Sequence, residues 1–139
     1  MLYENDVVDA VATWLRDQGW TIESVSYSKQ TGDDIAASRN GQKLRIEAKG
    51  ATSAVPSSGR FGKPFTKNQV NDHVAKAVLR ALRYVSDGYL SAIALSDNPD
   101  HRAEVAKVQP ALQRIGVAVF WVAENRDVNV RDAKTLYGS

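Results

Sequence analysis

Gly32-Asp33-Asp34-Ile35-Ala36 and, beyond an Asn40-Gly41 turn, Leu44-Arg45-Ile46-Glu47-Ala48-Lys49-Gly50 decide how this chain is read. Asn-Gly between two short runs of alternating character is a strong hairpin signal, because both central residues of the tightest turns need positive φ. The turn joins a strand over Asp34–Ser38 to one over Lys43–Lys49. Side chains alternate along a strand, so Leu44, Ile46 and Ala48 take the core face and Arg45, Glu47 and Lys49 share the other. Glu47 and Lys49 then stand about 7 Å apart at Cα. The hairpin folds Asp34 back to the exit of the second strand, beside both of them.

A Glu-x-Lys pair on a strand is most often an exposed ion pair of little energetic weight. A second carboxylate converging on the same point changes the chemistry. Two carboxylates suit a hard divalent cation that keeps several of its waters. An adjacent Lys can orient a nucleophile and stabilise charge that develops on a phosphate.

The elements outside the hairpin extend the pattern. Val7, Val8, Val11, Trp14 and Leu15 recur at helical spacing, and Gly19 is placed to end that helix. Trp20–Tyr27 has strand character. After the hairpin, residues Gly50–Thr66 are rich in Gly, Ser and Pro without periodicity, too long for an ordinary loop, and so either a functional segment composed to wrap a nucleic acid or a disordered one. A long helix is expected from about Lys67 to Val85, with Val70, Val74, Ala77, Val78, Ala81 and Val85 as its apolar stripe. Tyr89–Leu95 reads as a buried strand and Asp97-Asn98-Pro99 as a turn. A helical segment over Asp100–Ile115 is expected to break or kink at Pro110. Gly116 closes it, Val117–Val122 is apolar enough for the middle of a sheet, and the tail after Ala123 is weakly patterned. The order αβββαβαβ predicts an α/β three-layer sandwich around a mixed sheet. The three tryptophans read as packing residues and His101 as structural.

With 139 residues, the chain fits one domain spanning 1–139. It has no cysteine, which excludes disulfides and thiolate chemistry. No apolar run approaches a membrane span, and the acidic start is unlike a signal peptide, so a cytoplasmic protein is expected. A net charge of +2 is too mild to identify a nucleic-acid binder by itself.

The hairpin motif resembles the signature of the PD-(D/E)XK nuclease superfamily, and is especially similar to the archaeal Holliday-junction resolvases and the Mrr-type restriction endonucleases. Asp34 matches the metal-binding Asp, with Asp33 where the family often has Pro. Glu47 and Lys49 match the E-x-K, and Glu4, ahead of the first helix, matches a helical Glu that helps bind metal or water. The element order agrees from about Tyr3 to Val122. The resemblance implies a restriction-endonuclease-like fold and a magnesium- or manganese-dependent endonuclease acting on nucleic acid, DNA foremost. Its metal would be held by Asp34, Glu47 and the Ala48 carbonyl, with Lys49 activating water. Gln69 matches a helical Gln that reaches the active site in RecB-like branches; their motif continues to a Tyr where this chain has His73. Arg60, Lys63, Lys67, His73, Lys76 and Arg80 would supply the contacts to the phosphate backbone.

Two other readings use the same residues. One is a non-catalytic nucleic-acid-binding or interaction module on this fold. The other is a nuclease toxin or defence effector that works with a partner. Cutting both strands with so small a domain would favour a homodimer, although no isologous patch can be read from the sequence.

Overall fold

The computed structural model describes residues 1–27, 32–52 and 62–137. Among them the elements run α1 (Glu4–Asp17), β1 (Thr21–Val25), β2 (Ile35–Arg39), β3 (Gln42–Lys49), α2 (Lys67–Ser86), β4 (Leu90–Ser96), α3 (Pro99–Ala106), α4 (Gln109–Ile115), β5 (Val117–Val122) and β6 (Val128–Arg131), closing on a 3-10 helix, Ala133–Tyr137. The six strands form one sheet in chain order. β1, β2 and β3 are antiparallel neighbours, β3, β4 and β5 run parallel, and β6 returns antiparallel. No helix of the described residues is long and apolar enough to cross a membrane.

The sheet separates two apolar layers. On one face α1 buries Val7, Val8, Val11 and Leu15 against Ile35, Leu44, Ile46 and Phe120. On the other, α2 packs Val70, Val74, Ala77 and Ala81 onto Ile93, Leu95, Val119 and Trp121. The parallel crossovers β3-α2-β4 and β4-α3-α4-β5 account for the helices of this second layer. Local chemistry agrees with these elements. Asn40 and Gly41 both adopt positive φ, 51° and 80°, which the tight hairpin demands. Past α1, Gly19 takes φ 89°, and the Trp20 amide donates to the Leu15 carbonyl, closing the helix end.

Several details differ from expectation. The tail after Ala123 is not irregular: it supplies edge strand β6 and the 3-10 helix, whose Leu136 is fully buried. Its strand alternates half-buried and exposed residues over only four positions, too few to signal itself. The α3–α4 break falls at Lys107 and Val108 rather than at Pro110, which sits in the first turn of α4, where a missing N–H costs nothing. On α2 the buried stripe takes in Tyr84, while Val78 and Val85 are only partly buried.

Candidate active site

Glu47 lies on the α2 face of β3, between the buried Ile46 and Ala48. Its register partner on β4 is Ile93, so it is a carboxylate placed beside an apolar layer. Asp34 immediately precedes β2, and its Oδ2 accepts a 2.8 Å hydrogen bond from the backbone N–H of Ala48. This contact spans the hairpin and holds the Asp34 carboxylate against the end of β3. Lys49 Nζ stands 3.7 Å from Glu47 Oε2, both side chains largely covered, at 20% and 13% exposure.

The electrostatics of this point are unusual for surface carboxylates. Burial pushes the Glu47 carboxyl up to about 8, and the neighbouring Asp34 charge and hydrogen bond push it further the same way. Asp34 is also raised by burial, against the pull of the Ala48 N–H, the Glu47 hydrogen bond, Lys49 and Arg80. Two carboxyls this close cannot both ionise cheaply, so the pair as a whole holds its last proton more tightly than an ordinary carboxyl does. Glu4, the first residue of α1, is raised to about 7 by burial and by Asp34, with Lys49 opposing. Four of the expected site residues, Glu4, Asp34, Glu47 and Lys49, therefore act on one another at the exit of β3.

Gly50 makes this convergence feasible. A Cβ there would run into the amide nitrogen of Glu4 and lie 2.6 Å from the carbonyl carbon of Tyr3. The following amide, Ala51 N–H, donates to the Leu2 carbonyl at 2.8 Å. The start of α1 is thus pressed against the end of β3 at a position only glycine can fill. Asp6 completes the clamp, accepting from the Tyr3 amide at 2.8 Å and from Arg126 at 2.6 Å.

The remaining expected residues are placed as follows. Gln69 Oε1 accepts from the Thr66 amide and its own amide donates to Thr66 Oγ1, a reciprocal capping box at the start of α2. His73 is half-buried rather than on an open helix face: its ring meets Phe65 edge-on at 4.4 Å, and its Nδ1 is buried without a partner among the described residues. Burial lowers its pKa, helped by Lys49 and Lys76. Arg80 is exposed, and its charge reaches Asp34 and Glu47. Lys63, Lys67 and Lys76 are exposed before and along α2, and the Lys63 carbonyl is tied down by Thr52 Oγ1 at 2.6 Å. Arg60 lies outside the described residues.

Tyr84 escaped the sequence reading. It is 3% exposed, its hydroxyl has no partner among the described residues, and burial, Glu47 and Asp33 all raise its pKa. The apolar stripe of α2 continues as well through 84 as through 85, so only the hydroxyl was unforeseeable. Arg45 is also more than a surface cation: it stacks on Tyr89 at 4.3 Å and reaches Asp33 and Glu23 at 3.4 and 3.6 Å.

Among the described residues no three His, Asp or Glu side chains are gathered closely enough to enclose an ion alone. A cation that retains most of its water asks for only one or two protein carboxylates. Asp34 and Glu47, charge-frustrated and proton-sharing, with the Ala48 peptide adjoining, fit that requirement.

No protein-family model matches the chain, and no curated protein matches its sequence. Among solved structures it is similar to a XisH family protein from Nostoc punctiforme, at 14% identity and a TM-score of 0.53, over 89% of this chain and 96% of that one. An fdxN element excision controlling factor protein from Anabaena variabilis shares 18% identity at a TM-score of 0.46, over 90% and 96% of the two chains. SfsA of Pyrococcus furiosus, solved with Ca²⁺, shares 13% at 0.42, over 88% of this chain and 58% of its own. At 14% identity the likeness to the XisH family protein is one of fold alone, and the fold is a restriction-endonuclease-like sandwich.

Proposed function

We propose that this chain is a metal-dependent nuclease that hydrolyses phosphodiester bonds in nucleic acid, DNA foremost. The observation that carries the proposal is the convergence of two carboxyls on one point: Asp34, pinned by the Ala48 N–H at 2.8 Å, and Glu47, with Lys49 Nζ 3.7 Å from it. A folded chain gains nothing from holding two such groups together unless something positive takes a proton's place. Asp34 and Glu47, with the Ala48 carbonyl, would hold Mg²⁺ or Mn²⁺. When bound, such a cation supplies a water of lowered pKa and neutralises charge on the phosphate.

The protein's own groups do the rest. Lys49 Nζ, beside Glu47, donates to the attacking water or to a non-bridging phosphate oxygen and stabilises its growing charge. The water oxygen bonds to phosphorus, the P–O bond to the leaving sugar oxygen breaks, and that oxygen takes up a proton from solvent. Glu4, with its carboxyl near 7, can accept the proton lost by the water. Arg80, with Lys63, Lys67 and Lys76, would follow the backbone on either side. Gln69 would reach the site only by releasing its hold on the Thr66 amide.

The test is incubation of the purified protein with plasmid, linear, branched and single-stranded DNA and with RNA, in Mg²⁺, Mn²⁺, Ca²⁺ or EDTA. Cleavage is expected with the first two ions and not with EDTA, and calcium should support binding with little cutting. Undiminished cutting in EDTA would refute the mechanism. Tight binding without cleavage in any ion would favour the non-catalytic module.

A further inference from the structure

We propose that Tyr84 is a positioning residue of the candidate site, its hydroxyl being the donor that orients the Glu47 carboxylate. Tyr84 is 3% exposed, and its hydroxyl is buried without a hydrogen-bond partner among the described residues. A phenol placed this way forfeits the bonds it would make to water, whereas Phe would fill the same space without that loss. Packing onto the sheet therefore accounts for the ring and leaves the hydroxyl unexplained.

The fold determines where that hydroxyl goes. β3 and β4 are parallel, so α2, which joins them, runs antiparallel to both. Its last turns lie over the start of β4: Ser91 Oγ donates to the Ala81 carbonyl at 2.8 Å, and the Tyr89 amide donates to the Tyr84 carbonyl at 3.0 Å. Ser91 is the register partner of Arg45, and Glu47 follows two residues farther along β3 on the same face. A long side chain on a helix leans toward the helix N-terminus, which for α2 is the direction from Arg45 to Glu47. Tyr84 thus starts near the level of Arg45 and reaches toward Glu47. The charges that act on the hydroxyl agree with this path: after burial, Glu47 raises its pKa most, followed by Asp33.

Glu47 is also the acceptor left over. Of the neighbouring carboxylates, Asp33 faces Arg45 at 3.4 Å and Asp34 accepts from the Ala48 N–H at 2.8 Å. Glu47 has Lys49 at 3.7 Å and a hydrogen bond with Asp34. That second bond needs a proton between the two carboxyls, and it is lost when both carry their charge, as ligands must. Glu47 then stands beside an apolar layer with one donor fewer, and a neutral phenol supplies the missing bond without adding a charge. Only this last step rests on the proposed metal site. The placement of the hydroxyl toward Glu47 stands without it.

The test compares Tyr84→Phe with the wild type and with Tyr89→Phe, a control that keeps the ring on which Arg45 stacks. Thermal melts at pH 6.5 follow stability, carboxyl NMR of the metal-free protein follows Glu47, and calorimetry follows Mn²⁺ binding. Tyr84→Phe should melt at or above the wild-type temperature, because it removes a buried hydroxyl that lacks a partner. It should nevertheless raise the midpoint of the Glu47 titration, tightening proton binding about threefold or more, since a donor to the charged form is lost. Its Mn²⁺ affinity should fall about tenfold, the scale of losing a partner that orients a ligand. Tyr89→Phe should move neither quantity. A Glu47 midpoint unchanged in Tyr84→Phe overturns the proposal, and so does Mn²⁺ affinity undiminished from that of a wild type that binds the ion. A lowered melting temperature with Glu47 unmoved would make the hydroxyl a packing group, which also overturns it. If the wild type binds no Mn²⁺ while the midpoint still shifts, the Tyr84–Glu47 bond stands and the nuclease reading falls instead.

Discussion

The backbone N–H of Ala48 donates to Asp34 Oδ2 at 2.8 Å, so the peptide next to Glu47 also fixes the second carboxylate. This makes the charge of Asp34 separable from its structural contact. In Asp34→Asn the amide oxygen can still accept from Ala48, and the like charge that Glu47 meets when both carboxyls ionise at higher pH is removed. The variant should melt at or above the wild-type temperature while losing Mn²⁺ affinity and cleavage. Asp34→Ala loses the hydrogen bond as well and should cost about 1 kcal/mol in stability. Calorimetric titration of Mn²⁺ with parallel melts would check both; an Asn variant that bound Mn²⁺ normally would remove Asp34 from the ligand set.

Stability should depend on pH with a sign set by the raised carboxyls. Glu47 at about 8 and Glu4 at about 7 both lie above their ordinary value of 4.5. The folded state therefore binds more protons than the unfolded chain between these limits. Its advantage is full below 4.5 and is lost as pH rises through 7 and 8. His73 and His101, whose values are lowered, act only below the ordinary histidine range. Between pH 6.5 and 8.5, metal-free protein should lose on the order of 2 kcal/mol, a fall of about 5 °C in melting temperature. Mn²⁺ should reverse the fall by replacing the shared proton, and should stabilise more at pH 8 than at pH 6.5. A metal-free melting temperature that rose across this range would contradict the proton-sharing pair.

Much of this fold could be read locally. β5 was expected at Val117–Val122 and is found there, because an unbroken apolar run after a Gly admits few alternatives. The Asn40-Gly41 turn fixed the register that brings Asp34 to Ala48, and so Asp34, Glu47 and Lys49 were legible as neighbours. Contacts between distant segments were not. Neither the tie of Arg126 to Asp6 nor the burial of Leu136 leaves a local mark. Gln69 illustrates a different limit, since a Thr-x-x-Gln capping box and a site glutamine look alike in sequence.

Gly50 links the two ends of the candidate site, and its replacement should act through Glu4. A Cβ would meet backbone atoms of Tyr3 and Glu4, which cannot swing aside as a side chain would. Gly50→Ala should lower the melting temperature and displace the start of α1. The control is Val119→Ala, a cavity in the α2-side core, chosen to destabilise without touching the site. At temperatures where both variants are fully folded, Gly50→Ala should cleave about tenfold or more slowly than the control, because small misplacements of a positioned group are costly. Its Mn²⁺-induced gain in melting temperature should change little, since Asp34 and Glu47 stay in place. Equal cleavage by the two variants would reduce Gly50 to a packing residue.

Glu47 and Lys49 are neighbours on one strand face, 3.7 Å apart at their charged atoms, and the proposed chemistry gives them opposite parts. Glu47→Ala removes a ligand, so Mn²⁺ affinity and cleavage should fall together. It also removes the carboxyl raised to about 8, and the pH dependence of stability above 6.5 should flatten with it. Lys49→Ala removes a positive charge next to the ion, so Mn²⁺ affinity should hold or rise slightly. Cleavage should still fall by about 10² or more, the scale of losing one electrostatic stabiliser of a transition state. Glu4 supplies an internal check: without Lys49 its carboxyl loses the cation that restrains it, and its pKa should climb above 7. Titration of Mn²⁺, single-turnover cleavage and carboxyl NMR titration on the two variants separate these roles. A Lys49→Ala protein that cut at the wild-type rate would leave Glu47 and Lys49 an ordinary ion pair, worth ~0–1 kcal/mol, and the nuclease assignment would fall with it.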